Sequence, residues 1–193
     1  ANGVVFIADE IQSGMARTGA YFASEHFGVV PDMVLSAKGI AGGLPLSAIT
    51  GRAEIMDASH PGGLGGTFGG NPVSTAAAIA VFEQIEAKNL LAEARRIENV
   101  LKPGLLALQA RYDSIGDVRG IGAMLAIELV RPGTHEPDAA AVSAVSAYAA
   151  QQGVLVLTAG TYSNVLRFLP SLAISDELLL DALGVLDDAF AAL

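Results

Sequence analysis

At 193 residues the chain is long enough to bury a core, and a hydrophobic fraction of 52% with a mean hydropathy of +0.48 predicts that it does so. A formal net charge of −9 argues against nucleic acid or an anionic membrane as partner, because either demands a basic face, and no uninterrupted apolar run approaches the roughly 20 residues of a spanning helix. With no cysteine, disulfides and thiolate metal sites are excluded and a reducing cytoplasm is the compatible compartment; His26, His60 and His135 lie far apart without ligand-like spacing, so no metal site is expected.

Ala1-Asn2-Gly3 leads at once into Val4-Val5-Phe6-Ile7-Ala8, five apolar residues that end in Asp9-Glu10. This is the pattern of a parallel strand buried on both faces, and its carboxyl end is the edge at which open α/β sheets bind ligands. A buried central strand seldom begins a domain unaided, and neither an initiator Met nor a targeting segment precedes it. The chain is therefore expected to be the C-terminal part of a longer protein, with an incomplete sheet.

Residues 12–19 read as a polar, glycine-punctuated loop, and residues 21–27 as a short helix stopped by Gly28. Pro31-Asp32 then opens a second strand over residues 33–37, and a third is expected over residues 47–51. A glycine-rich loop over residues 60–70 holds Thr67. Asn71-Pro72 follows as an N-cap with proline in the first turn, starting an alanine-rich helix to about residue 87. A second helix is predicted over residues 90–112 from Leu91, Ala94, Ile97, Leu101, Leu105 and Leu108 at three- and four-residue spacing, with a kink or break at Pro103.

The composition changes near Ser114. Strands are expected over residues 115–119, 123–130, 154–157 and 165–169, alternating with helices over 138–152 and 175–192, the last capped by Ser175 with Asp176 and Glu177 in its first turn. The fold class is accordingly α/β: a mostly parallel sheet with covering helices, followed by a small separate α/β layer. The expected division places residues 1–100 in the first part, with the connecting helix, and 101–193 in the second.

Two successive strands thus end in Asp9 and Lys38, and if they run the same way both side chains sit at one sheet edge. Lys38 is one of three lysines and is followed by Gly39, Gly42 and Gly43, which leave backbone room around the amine. An amine in such a tight, largely apolar loop is expected to be desolvated, which disfavours the ammonium and suits covalent chemistry with an aldehyde cofactor.

Four stretches taken together resemble, in order and spacing, the class III pyridoxal-phosphate aminotransferases of fold type I. They are Asp9-Glu10-Ile11-Gln12-Ser13-Gly14, Ala37-Lys38-Gly39, Gly66-Thr67-Phe68-Gly69-Gly70-Asn71-Pro72 and Asn164-Val165-Leu166-Arg167-Phe168-Leu169-Pro170. The resemblance covers essentially the whole chain, as the second half of the large cofactor domain plus the small C-terminal domain. Residues 118–128 and 162–169 incline it toward the 4-aminobutyrate aminotransferases.

The resemblance implies pyridoxal 5'-phosphate as cofactor and roles for individual residues. Lys38 is similar to the lysine that carries the cofactor and then moves a proton between the substrate carbon and C4′ of the cofactor. Asp9 matches the carboxylate paired with the pyridine nitrogen, Glu10 and Ile11 follow it in the same motif with Ile11 packed on the ring face, and Gln12 matches the amide near the phenolic oxygen. Thr67 resembles the threonine that binds the cofactor phosphate in the neighbouring subunit's site, which implies a homodimer or higher oligomer with shared active sites. Arg167 resembles the arginine that grips the α-carboxylate of glutamate or 2-oxoglutarate, a task suited to a planar two-pronged donor.

The implied reaction is a ping-pong transamination from an ω-amino donor, 4-aminobutyrate, to 2-oxoglutarate, with ornithine or acetylornithine as the alternative donor. The phosphate loop and donor-selecting residues of that family belong to an N-terminal portion this chain lacks, so the isolated chain is expected to be inactive. Two rivals lie outside this class. One is a non-catalytic phosphate-binding α/β module using residues 62–70 and the following helix, although that loop lacks the Gly-Lys-Ser/Thr ending of a P-loop; the other is a structural fragment that only supports a dimer.

Overall fold

The computed structural model describes residues 3–63 and 65–193; Ala1 and Asn2 of the opening stretch, and Leu64 of the glycine-rich loop, lie outside the described residues. The chain divides into two compact units, Ala1–Leu91 and Ala92–Leu193. No helix among the described residues is long and apolar enough to cross a membrane.

The first unit is built on strands β1 (Ile7–Asp9), β2 (Met33–Ser36) and β3 (Ala48–Gly51), adjacent in that order. β1 and β2 are parallel, with Asp9 opposite Leu35, whereas β3 returns antiparallel with Ala48 opposite Ser36. Helix α1 (Ala53–Met56) is a single turn, and α2 (Pro72–Ala87) begins at Asn71, whose side chain accepts a 2.9 Å hydrogen bond from the Val73 amide. The short helix expected before Gly28 is a 3-10 turn, Ala23–Phe27, closed by Gly28 in the left-handed conformation at φ 61. A small cluster of Ile40, Ala41 and Ala78 forms the buried centre, with Met15, Leu46, Ala48 and Ala77 against it.

The doubly buried opening strand expected from the sequence is not what forms. Only Ile7–Asp9 is strand, and Val4, Val5, Phe6 and Ile7 are exposed, Val4 to 81%. The physical reason is that, among the described residues, β1 lies at the sheet's edge with β2 as its one partner, and both faces of a parallel strand are covered only when neighbouring strands and crossover helices flank it. The same holds for α2, apolar all round yet leaving Val73, Ile79 and Phe82 exposed.

The second unit is an antiparallel sheet of β4 (Ile115–Ile121), β5 (Met124–Leu129), β6 (Leu157–Ala159) and β7 (Val165–Phe168) in the order β4-β5-β7-β6. One face carries α4 (Ala139–Gln151), α5 (Asp176–Ala191) and α3 (Leu90–Arg111). Alternation along β5 buries Leu125, Ile127 and Leu129, which meet Ile97, Leu101 and Leu105 of α3 and Leu186 of α5 in one cluster. Close-packed burial of such side chains stabilises the unit by roughly 1.5–3 kcal/mol each before conformational entropy is counted.

Two expectations are corrected here. Of the kink or break expected at Pro103 the break does not form, since α3 runs as one helix of 22 residues. Pro103 and Asn99, whose carbonyl loses its amide partner, are both exposed, so water can satisfy that carbonyl. The strand expected over residues 154–157 begins instead at Leu157. Val154 is consumed in ending α4: its amide bonds Ala149 O at 2.8 Å and the Gly153 amide bonds Ala150 O at 3.1 Å, the paired closure that follows a left-handed glycine.

Candidate active site

β1 and β2 deliver Asp9 and Lys38 to one edge of the sheet. Asp9 is opposite Leu35 in a parallel pairing, adjacent strands lie about 4.8 Å apart, and the three residues from Leu35 to Lys38 add at most about 10 Å along the strand. Beyond Asp9 the pairing continues for one more bond, from the Glu10 amide to Leu35 O at 3.0 Å. The Asp9 carboxylate is oriented locally, accepting from the Ile11 amide at 3.1 Å, and its side chain remains exposed. Lys38 opens a 3-10 turn, Lys38–Ala41, that ends on left-handed Gly42, and Lys38 itself adopts φ 49. A non-glycine residue there costs on the order of 1 kcal/mol and persists only where the surroundings impose it.

The spacing fits the aldehyde-bearing pyridine that the sequence resemblance implies: a carboxylate and an amine on neighbouring strand ends, with one six-membered ring and a lysine stem to span the gap. The desolvation expected at Lys38 is not supplied by this chain, since Lys38 and Gly39 are exposed. Glycines leave room for a ligand but bring no side chains to cover the amine.

Glu10 and Ile11 do different work from each other. Successive strand residues point to opposite faces, so Glu10 turns inward where Asp9 turns out, and Glu10 is only 4% exposed. Its carboxylate is taken up within the chain: Ser13 Oγ and the Ala23 amide donate to Oε2, the latter at 3.0 Å, and the Ser24 amide donates to Oε1 at 2.8 Å. Burial pushes this carboxyl up, and the hydrogen bonds from Ser13, Ser24 and Ala23 outweigh it, so Glu10 titrates below the ordinary glutamate value. Ile11 is half-buried and Gln12 exposed in the turn that follows.

That turn contains a residue the sequence reading passed over. Met15, left-handed at φ 54 beside Ala16 at φ 68, packs on the Ile40–Ala41–Ala78 cluster, and its Cβ lies 3.5 Å from where a Cβ on Gly39 would stand. An apolar side chain in an otherwise polar loop was the available signal. The period-two alternation after Asp9 was the signal for Glu10.

Thr67 is exposed in the glycine-rich loop. It borders an open cleft of about 930 Å³ along the free edge of β3, walled by Pro45, Leu46, Ile49 and Phe68 among others; Asp9, Gln12 and Lys38 are not part of that wall. Arg167 belongs to the second unit. On β7 it is opposite Ala126 on one side and Leu157 on the other, with Leu166 and Phe168 buried on the helix side, so it lies on the opposite face. Arg119 shares that face and is held by Asp117 at 2.6 Å and Glu128 at 2.8 Å. Arg167 also borders a cavity of about 330 Å³ whose wall is otherwise apolar, including Leu155, Leu157 and Leu178.

The sequence matches the family described as aminotransferase class-III over residues 1–190. The chain is 57% identical over 185 residues to a 4-aminobutyrate aminotransferase of Mycobacterium leprae, covering 96% of this chain and 42% of that protein. It is 48% identical over 190 residues to a 5-aminovalerate aminotransferase of Pseudomonas putida, covering 98% of this chain and 45% of that protein. Among solved structures, an acetylornithine aminotransferase of Elizabethkingia anophelis superposes with a TM-score of 0.85 at 33% identity, over 98% of this chain and 46% of that one. The chain thus spans less than half the length of the relatives it matches, and it belongs to the class III aminotransferases.

Proposed function

We propose that this chain provides the lysine-bearing portion of a pyridoxal 5'-phosphate-dependent transaminase that moves an amino group from 4-aminobutyrate to 2-oxoglutarate. The observation that carries the proposal is the parallel pairing of β1 with β2, which puts Asp9 and Lys38 at the ends of neighbouring strands. When bound, pyridoxal 5'-phosphate supplies an electron-withdrawing ring that accepts the electron pair released from the substrate carbon.

The chain's own residues then divide the work. Lys38 would hold the cofactor through its amine, and that amine would take the proton from the substrate carbon and return it at C4′. Asp9, fixed by the Ile11 amide, keeps a proton on the ring nitrogen. Ile11 would cover one ring face, and the Gln12 amide would donate toward the phenolic oxygen. Arg167 holds the α-carboxylate of 2-oxoglutarate with two parallel hydrogen bonds, and Thr67 binds the phosphate in the site of a second copy. That last role makes the protein a homodimer or higher oligomer with shared sites, and exposed Phe68 and Val73 flanking the Thr67 loop are consistent with a covered surface there. The reading places the enzyme in the cytoplasm.

An ω-amino donor is favoured because the relatives at 57% and 48% identity are named for 4-aminobutyrate and 5-aminovalerate, terminal amines on carboxylates that differ by one methylene. The test uses a protein of the relatives' full length. Reaction of the holo-protein with borohydride is expected to abolish its visible absorbance and leave the added cofactor mass on Lys38; a Lys38→Ala protein retaining the same band refutes the assignment. Brisk turnover of acetylornithine or ornithine with none of 4-aminobutyrate overturns the donor.

A further inference from the structure

We infer that Glu10 is a positioning residue: its carboxylate is the clasp that holds the strained loop after β1 against the Ile40 cluster that follows Lys38, and so sets the placement of Asp9 and Lys38 relative to each other. The functional half of this inference rests on the transaminase reading; the structural half does not.

The loop over residues 11–22 is one that its own sequence would not keep in place. Met15 and Ala16 are successive non-glycine residues in the left-handed region, a conformation that costs energy at each position and survives only where the surroundings over-determine it. Gly14 is held by its amide on Glu10 O at 2.9 Å, and a Cβ there would stand 2.8 Å from that oxygen. The restraint that joins the two ends of the loop is the buried Glu10 side chain, alongside the bonds of His26 to Thr18. It ties the loop's start, through Ser13, to its end, through the amides of Ala23 and Ser24, while its own backbone amide is bonded to Leu35 of β2.

Held in this way, the loop carries consequences to both sides. Upstream lie Asp9 and the Ile11 amide that orients it. Downstream, Met15 packs on the Ile40–Ala41–Ala78 cluster, two residues after Lys38, whose left-handed backbone needs just such an external restraint. A carboxylate with three charge-assisted hydrogen bonds, two of them from backbone amides, is a strong clasp. Removing it takes the partner from two partly buried backbone donors.

Two variants separate the roles in the full-length protein. Glu10→Ala abolishes all three hydrogen bonds. Glu10→Gln keeps the shape and a carbonyl for the Ser24 amide, and its NH2 can donate to Ser13 Oγ, but it faces the Ala23 amide with a donor. Amide exchange in the cofactor-free protein is read at Ala23 and Ser24, and cofactor affinity and the visible band are read by titration with pyridoxal 5'-phosphate. Glu10→Ala is expected to speed exchange at both amides and to weaken cofactor affinity by about tenfold or more, with kcat falling more than KM, and Glu10→Gln to recover part of each loss. If Glu10→Ala does not fold, Ser13→Ala removes a single bond and is expected to give the same changes in smaller measure.

Exchange at Ala23 and Ser24 unchanged by Glu10→Ala overturns the clasp, and faster exchange with cofactor affinity, band and kcat unchanged overturns its link to the site. A wild-type protein that takes up no cofactor defeats the transaminase reading instead, and the exchange measurement still decides whether the clasp exists.

Discussion

Alanine at Gly120 tests whether the β4–β5 hairpin of the second unit is held as the geometry requires. Gly120 has φ +125, and a Cβ there would lie 2.1 Å from Met124 O and 2.7 Å from Leu125 Cα. Both are backbone atoms, so no side-chain rotation relieves the overlap and the two strands must separate where Gly120 is opposite Leu125. The glycine-only conformation alone costs a side chain about 1–3 kcal/mol. Separation also endangers two bonds from α3 to the turn: Lys102 Nζ donates to Gly120 O at 3.0 Å and the Gly122 amide donates to Glu98 at 2.6 Å. With hydrogen bonds to charged groups worth about 1.5–3 kcal/mol, losing one of them brings the total to about 2.5–6 kcal/mol, a large share of a domain's usual stability of about 5–15 kcal/mol. The control is Gly184→Ala in α5, where the added methyl meets nothing within 4 Å and alanine's helix preference stabilises by about 0.5–1 kcal/mol. Urea unfolding followed by circular dichroism measures both. A Gly120→Ala protein within 1 kcal/mol of wild type, or a Gly184→Ala protein that is clearly less stable, refutes the reasoning.

Asn71→Ala removes the acceptor for the Val73 amide and is expected to destabilise α2 by about 1 kcal/mol, seen as a lower unfolding midpoint, whereas Asn71→Ser restores most of the loss. Asp187 is held below the ordinary aspartate value by hydrogen bonds from Tyr112 and Arg111. A depressed carboxylate stabilises the folded state above about pH 4, where the unfolded group is ionised, and that contribution is lost as pH falls through the lowered value. The stability difference between wild type and Asp187→Asn should therefore shrink from pH 6 toward pH 3, and a difference constant across that range counts against the pairing. In the full-length protein, Arg167→Lys keeps the charge but loses the two-pronged geometry. It is expected to raise KM for 2-oxoglutarate by about tenfold or more, and unchanged kinetics would remove Arg167 from the substrate site.

What the sequence determined by itself is what short-range geometry controls. Asn71, Asp138 and Ser175 cap their helices through side chains that reach amides two or three residues on. Gly28 ends its turn because only a residue free to adopt positive φ closes it cheaply. The apolar spacing of α3 and the strict alternation of β5 place the second unit's core without knowledge of its partners. Tertiary structure decided whatever depends on a distant neighbour. Val154 belongs to the end of α4 rather than to β6 because the Ala149 carbonyl captures it first. Val4 to Ile7 are exposed because burial needs strands and helices on both sides. Glu10, adjacent to Asp9 in sequence, turned out to serve the loop, because three donors from residues 13, 23 and 24 converge on it only once the chain has folded back. A residue's local conformation is encoded within a few positions of it, but its solvent exposure and its partners are properties of the whole packed unit.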